Sequence, residues 1–206
     1  MALVLTAELM ANREANGVPA PPLEVELVMR TRSGDDSAFA ELVQLYQTRI
    51  FNFVLSRLRD RQTAEDVTQE VLVKAYYNLG RLRDASKFKS WLFSIAHNHL
   101  RDLTRRKQPE TADVEDGHIE HYVDGGNPEI ELGKDRLQTL VKKALARLKP
   151  DQREILQLCD IEGLSYKQIA DIMHIPLGTV QSRIYYSRRR VKEILTGDLG
   201  YSGDEI

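Results

Sequence analysis

One spacing governs what this chain can fold into. From Leu23 to Leu103, and again from Leu137 to Ile194, apolar residues recur three and four positions apart, and no sustained two-residue alternation competes with them. That period lines one face of an α-helix, whereas a half-buried strand alternates every second residue. The expected fold class is all-α. Leu23, Leu27 and Val28 open a first short helix that stops at Ser33-Gly34-Asp35-Asp36. Asp36 is a candidate N-cap for a second helix with Phe39, Leu42, Val43, Tyr46, Ile50, Phe53, Val54 and Leu58 inward. A break at Asp60-Arg61-Gln62-Thr63 leads to a third helix from Ala64, with Val67, Val71, Leu72, Ala75 and Tyr76 inward. Leu79-Gly80 should end it, since glycine is common just past a helix terminus. Phe88, Trp91, Leu92, Ile95, Ala96, His99 and Leu103 mark a fourth helix, running to about Arg106.

The periodicity then lapses. Residues 107–133 hold Pro109, Gly117, Gly125, Gly126 and Pro128 with few apolar side chains, and a structureless stretch of that length is unusual inside a compact domain. It reads as a linker. From Asp135 the helical pattern returns in Leu137, Leu140, Val141, Leu145 and Leu148, and continues after Pro150-Asp151 with Ile155, Leu156, Leu158 and Cys159. The expected organisation is an extension over residues 1–22, a helical bundle over 23–107, an acidic linker over 108–134, a second helical domain over 135–196 and a tail over 197–206. A chain of 206 residues has room for two such small domains.

Charge is distributed unevenly along this plan. The net charge is −2, yet residues 81–107 carry +6, residues 176–192 carry +5, and residues 108–135 carry −8. Two basic patches around an acidic stretch suggest two contacts with a polyanion; solvated helix faces are the plainer alternative. Cys159 is the single cysteine, which excludes an internal disulfide and fits a reducing compartment. The apolar runs fall far short of the roughly 18 residues that span a bilayer, and the N-terminal run is broken at Glu8 without an early positive charge. No membrane insertion and a cytoplasmic location are the expectations.

The most informative local pattern runs from Gly163 to Ile184. Ser165 with Gln168 three residues on is a capping box, so a helix should start at Tyr166. His174-Ile175-Pro176 should stop it, because proline disfavours helical geometry in the residue before it and suits the first turn of the next helix. Two helices joined by a tight turn, the second followed by a basic run, have the form of a DNA-reading helix-turn-helix. Val180, Ile184, Val191 and Ile194 form the inward stripe, which turns Gln181, Ser182 and Tyr186 outward with Arg183, Tyr185, Arg189 and Arg190 beside them. Glutamine and serine can reach base edges, and arginines suit phosphates or guanine.

At these residues the chain resembles a known family. Gly163-Leu-Ser-Tyr-Lys-Gln-Ile-Ala170 and Pro176-Leu-Gly-Thr-Val-Gln-Ser-Arg183 resemble region 4 of the extracytoplasmic-function sigma factors, which reads the −35 promoter element. The resemblance assigns Tyr166, Lys167, Thr179, Gln181, Ser182, Arg183, Tyr185, Tyr186, Arg188, Arg189 and Arg190 to that contact. Ala64-Glu-Asp-Val-Thr-Gln-Glu-Val-Leu-Val-Lys-Ala-Tyr76 resembles region 2.2, which docks on the clamp helices of the polymerase β′ subunit. Asp66, Gln69 and Glu70 share one face of that helix, opposite the apolar stripe, and could pair with arginines of a partner.

Lys87-Phe-Lys-Ser-Trp-Leu-Phe-Ser-Ile-Ala-His-Asn-His-Leu100, ending in Arg105-Arg-Lys107, resembles regions 2.3 and 2.4, which hold the non-template strand of the −10 element. Holding an unstacked base costs a few kilocalories per mole, so such a site needs a pocket, edge-reading groups and basic residues along the backbone. The resemblance places the pocket in the loop Leu82, Arg83, Asp84, Ser86 and Lys87, puts Asn98 at a promoter-contacting position, and gives the electrostatics to Lys87, Lys89, Arg101, Arg105 and Arg106. Phe88 could stack on a base or join the core, and Trp91 reads as core.

The resemblance implies a subunit that binds core RNA polymerase through the β′ clamp helices and the β flap, together with promoter DNA and an anti-sigma factor. The acidic linker is expected to thread towards the polymerase active-site cleft. No room is expected for domain 1.1 or a folded region 3. Tyr186 departs from the basic residue that relatives often carry. Two other classes compete. A free-standing helix-turn-helix regulator would bind operator DNA without polymerase. An enzyme would need a constellation that does not emerge: His97 and His99 diverge on a helix, and His118 and His121 lie in the linker without a Cys/Asp cluster. No catalytic residue, metal or cofactor is expected.

Overall fold

The computed structural model describes residues 22–107 and 134–199, and the expectations for the extension, the acidic linker and the end of the tail lie outside them. Every regular element among the described residues is helical. Helix α1 spans Pro22–Arg32, α2 Asp36–Leu58, α3 Arg61–Asn78 and α4 Phe88–Lys107. Two 3₁₀ turns, Leu79–Arg81 and Ala85–Lys87, join α3 to α4. Then come α5 (Lys134–Ala146), α6 (Pro150–Leu156), α7 (Tyr166–Met173) and α8 (Leu177–Glu193).

Local chemistry sets most of the boundaries. Asp35, one residue before the expected cap, accepts hydrogen bonds from the backbone N–H groups of Ser37 and Ala38 and so starts α2. Gly34 turns the chain there with φ +94°, a conformation open to a residue without Cβ. Asp60 caps α3, which therefore begins at Arg61, earlier than Ala64. Gly80 does not close α3 with left-handed backbone: the helix tightens into a 3₁₀ turn in which Leu82 N–H reaches Leu79 O at 3.1 Å. Tyr76 is not fully inward either. Its ring sits edge-on to Phe39, 4.9 Å between centroids, and its hydroxyl donates to Asp36 at 2.7 Å.

Helices α1 to α4 bury Leu27, Leu42, Phe53, Val71, Leu92 and Phe93 in a shared core, with Phe53 and Phe93 crossing edge-to-face at 5.3 Å. Helices α5 to α8 bury Ala144, Leu148, Ile155, Leu158, Ile169 and Ile184, which join the same hydrophobic core. The end of α5 is held by a buried arginine. Arg153 donates to the carbonyls of Leu145 at 2.9 Å, Ala146 at 3.1 Å and Leu148 at 2.8 Å, supplying partners to helix-end oxygens that the helix leaves open. Helix α6 runs on through one wide π turn, Gln157–Ile161, and Gly163 with φ +65° ends it.

The two groups lie against each other, α2 facing α6 and α4 facing α7. Ser56 donates to Gln157 at 2.6 Å, Arg57 meets Asp151 at 2.7 Å, and Arg153 reaches across to the carbonyl of Ser56.

Candidate nucleic-acid interface

The helix-turn-helix forms as the capping residues direct. Ser165 Oγ accepts from Gln168 N–H at 3.3 Å, while Gln168 Oε1 accepts from Ser165 N–H at 2.9 Å, so each end of the box satisfies the other. His174 adopts left-handed backbone (φ 55°) to end α7, and Pro176 sits at the N-cap of α8, one residue outside the first helical turn. Val180, Ile184 and Ser187 are buried, with Ile194 below them. The opposite face is open: Gln181, Ser182, Tyr185, Tyr186, Arg189 and Arg190 are exposed, and the two tyrosine rings meet edge-on at 5.3 Å. Lys167 is exposed on α7; Tyr166, Thr179 and Arg183 are half-buried, and Arg183 lies 4.0 Å from Asp151.

The three consecutive arginines are not equivalent. Arg188 turns inward and makes a two-pronged ion pair with Asp160 on the π turn, its Nε 3.1 Å from Oδ2. Burial is the largest single influence and works against its charge, but the Asp160 hydrogen bond and the Asp160 charge together outweigh it, and the guanidinium pKa is raised. Arg189 and Arg190 stay at the surface against Glu193, at 3.0 and 3.3 Å. Glu193 is held below the usual carboxylate range by the Arg189 hydrogen bond first and the Arg190 one second. Such exposed pairs are weak and exchange readily for a phosphate.

On the first group, the loop before α4 is fastened by its own acid. Asp84 accepts from Ser86 N–H at 3.0 Å and Ser86 Oγ at 2.7 Å, and the Ser86 hydroxyl is the main reason its carboxyl sits below the usual range. Leu82 and Phe88 are buried beneath the loop, Phe88 at 1% exposure against Tyr46, so neither presents itself for stacking in this arrangement; both fill the bundle core. Trp91 is half-buried beside Phe88. Arg83, Ser86 and Lys87 are exposed around the loop, and Arg101 and Arg105 are exposed further along α4. The side chain of Arg106 lies outside the described residues. Lys89 and Asn98, on the same helix, are engaged by the second group. Lys89 Nζ donates to Glu162 O, and Asn98 Oδ1 stands 3.3 Å from His174 Nε2. Burial first, then the nearby Arg49 charge, pull the Lys89 pKa down. His97 faces Glu154 at 2.5 Å while His99 faces Glu70 of α3 at 3.5 Å, so the two rings do diverge. Among the described residues no three potential metal ligands cluster, and no helix is long and apolar enough to cross a membrane.

Asp66, Gln69 and Glu70 are exposed along α3. The structure extends their stripe. Val73 and Tyr77 continue it, seven and eleven positions after Asp66, at 53% and 78% exposure. That register is legible in the sequence by counting onward in threes and fours, once the acidic trio is recognised as an outward face.

Comparison with known proteins shows which family the chain belongs to. Residues 42–110 match the family model for sigma-70 region 2, and residues 138–191 that for sigma-70 region 4. The chain is 38% identical over 180 residues to the RNA polymerase sigma-H factor of Pseudomonas aeruginosa, covering 82% of this chain and 92% of that one. It is 35% identical over 173 residues to the ECF RNA polymerase sigma-E factor of Escherichia coli strain K12, covering 80% and 90%. The chain belongs to the extracytoplasmic-function sigma factors. Sigma factors direct core RNA polymerase to promoters for transcription initiation, and this one carries both regions that do so. The region 2 match lies wholly outside the helix-turn-helix, which disfavours a free-standing regulator. Among solved structures, the sigma factor superimposes on the sigma factor RpoE, crystallised with the anti-sigma factor NepR from Bartonella quintana, with TM-score 0.63 and 30% identity over 78% of this chain and 98% of that one. It shares its fold with CnrH, solved with the cytosolic domain of CnrY (TM-score 0.60, 24% identity, 85% and 99% covered).

Proposed function

We propose a division of labour among three surfaces. The α3 stripe of Asp66, Gln69 and Glu70, with Val73 and Tyr77 as apolar anchors, docks on the polymerase β′ clamp helices: an aromatic centre flanked by charges is the composition that protein interfaces favour. The Leu82–Lys87 loop and α4 hold the melted −10 strand, with Lys87, Lys89, Arg101 and Arg105 along the backbone and Asn98 at a base edge. Helices α7 and α8 read the −35 element. Gln181, Ser182 and the Tyr185–Tyr186 pair face base edges, while Lys167, Arg189 and Arg190 meet phosphates. In this reading Arg188 supports α8 from behind instead of touching DNA.

The domains extend over 23–107 and 135–196, joined by the acidic stretch 108–134. The second group also docks on the β flap, an anti-sigma factor is a natural partner given the RpoE–NepR relative, and the protein works in the cytoplasm without catalysing a reaction of its own. The carrying observation is the exposed α3 stripe beside a basic α4, which an operator-binding protein would not need. The test is promoter opening by core polymerase, read as permanganate reactivity of −10 thymines. Asn98→Ala should lower it about tenfold while leaving polymerase binding intact, one lost base-edge contact being worth roughly 1–3 kcal/mol. Unchanged opening would remove Asn98 from the site.

A further inference from the structure

Helix α4 carries one polar side chain that the division into three surfaces leaves unused. His99 turns to α3, where Glu70 and Lys74 stand one helical turn apart on the outward side. Its two ring nitrogens meet one of them each. Nδ1 takes a hydrogen bond from the Lys74 ammonium, and Nε2 stands 3.5 Å from Glu70 Oε2. An ammonium only donates, so Nδ1 accepts and the ring proton sits on Nε2, on the Glu70 side. The His99 side chain is 10% exposed and that of Glu70 61%, so a ring fixed between two helices holds a carboxylate that itself faces solvent. A histidine beside an acid is commonly packing and no more. The lysine on the second nitrogen sets this one apart, because it fixes which nitrogen carries the proton.

We propose that His99 is a positioning residue for polymerase docking: its Nε2–H, directed by Lys74 on the opposite nitrogen, holds the Glu70 carboxylate in the orientation that an arginine of the β′ clamp helices meets. This rests on the reading of the α3 stripe as the polymerase surface, and it adds a side chain from the neighbouring helix. A glutamate on a bare helix face samples many rotamers, and freezing them on docking costs affinity; a side chain already held avoids part of that cost. A carboxylate has acceptor sites on both oxygens, so the approach of His99 to Oε2 leaves Oε1 for the partner. His99 acts through Glu70 and needs no contact of its own with polymerase. The docking surface is then not a property of α3 alone. It is completed by the turn of α4 that also presents Asn98.

The test titrates the fluorescently labelled full chain with core polymerase. His99→Leu keeps much of the ring's bulk without a donor, and His99→Gln sets an amide nitrogen where Nε2 stood. His99→Leu should weaken core binding about fivefold and His99→Gln less than about twofold, with both melting close to the native chain. In a Glu70→Ala background His99→Leu should add nothing, since two residues that act through one contact are not additive. At saturating core polymerase, promoter opening with His99→Leu should match the native chain within about twofold, which a role in gripping the −10 strand would not allow. Should His99→Leu lose helix by circular dichroism, His99→Ala is held to the same outcomes. Native-like core binding by the folded variant would overturn the proposal. So would equal losses with Leu and Gln, a full additional loss in the Glu70→Ala background, or opening that stays lowered at saturation. Native core affinity in Glu70→Ala alone would instead remove the α3 docking reading, and the role of His99 with it.

Discussion

At the scale of single residues, the arginine run of α8 shows how similar neighbours take different work. Arg188 is committed to Asp160 behind the helix, and Arg189 and Arg190 are available in front of it. Arg188→Ala should cost about 1–2 kcal/mol by leaving Asp160 half-buried without its partner, lowering the melting temperature by several degrees. Arg189→Ala should leave thermal stability unchanged. It should instead weaken −35 duplex binding across sequences and reduce the slope of log affinity against log salt by about one. Melting curves and salt titrations of the two variants separate the roles, and swapped outcomes would refute this assignment. The sequence alone does not distinguish them. Position on the helix puts all three beside the outward face, and the acid that claims Arg188 sits 28 residues away on a π turn that no periodicity announces. Phe88 is ambiguous in the sequence for a related reason: an aromatic at helical spacing can stack or pack, and only the Tyr46 ring across the bundle settles which it does here.

At the scale of elements, the local signals are the legible ones. The Ser165–Gln168 box and the His174–Pro176 stop place α7 and α8 within a residue of their expected bounds, because the hydrogen bonds that define a helix end lie within four residues of it. Ser165→Ala should cost about 1 kcal/mol and Ser165→Asp little, measured by urea unfolding. Equal losses would show that the cap does not matter. Adjacent acids defeat this kind of reading. Asp35 and Asp36 both suit an N-cap, and the backbone turn at Gly34 selects Asp35. The Ser37 hydroxyl foremost, and Arg30, hold the Asp35 pKa at about 2 against an ordinary 3.8. A carboxyl depressed on folding stabilises fully above the ordinary value and loses that contribution as pH falls towards the folded one. Stability should therefore drop between about pH 4 and 2, and Asp35→Asn, which keeps a capping oxygen, should flatten that part of the profile. For α3, Tyr77→Ser should weaken core polymerase binding about tenfold with no change in melting temperature, as for truncation of an exposed interface anchor. Loss of stability without loss of binding would place Tyr77 in the fold instead.

For the whole molecule, composition misleads until it is read by segment. A net charge of −2 argues against a nucleic-acid binder, and only the separation into +6, −8 and +5 restores the case. The all-α class and the division into two helical groups follow from the apolar period, which survives wherever each helix buries a single stripe. The packing of one group on the other does not follow from it. The seam joins residues 57, 73 and 101 positions apart, on faces that periodicity marks only as polar. The polymerase, −10 and −35 surfaces have meaning only if the chain brings polymerase to promoters. The direct measurement is run-off transcription by core polymerase on a promoter library, with and without the full-length protein. Discrete transcripts that start downstream of a shared −35 and −10 pair, and that appear only when the protein is added, are the predicted result. Transcripts no different from those of core polymerase alone would contradict it.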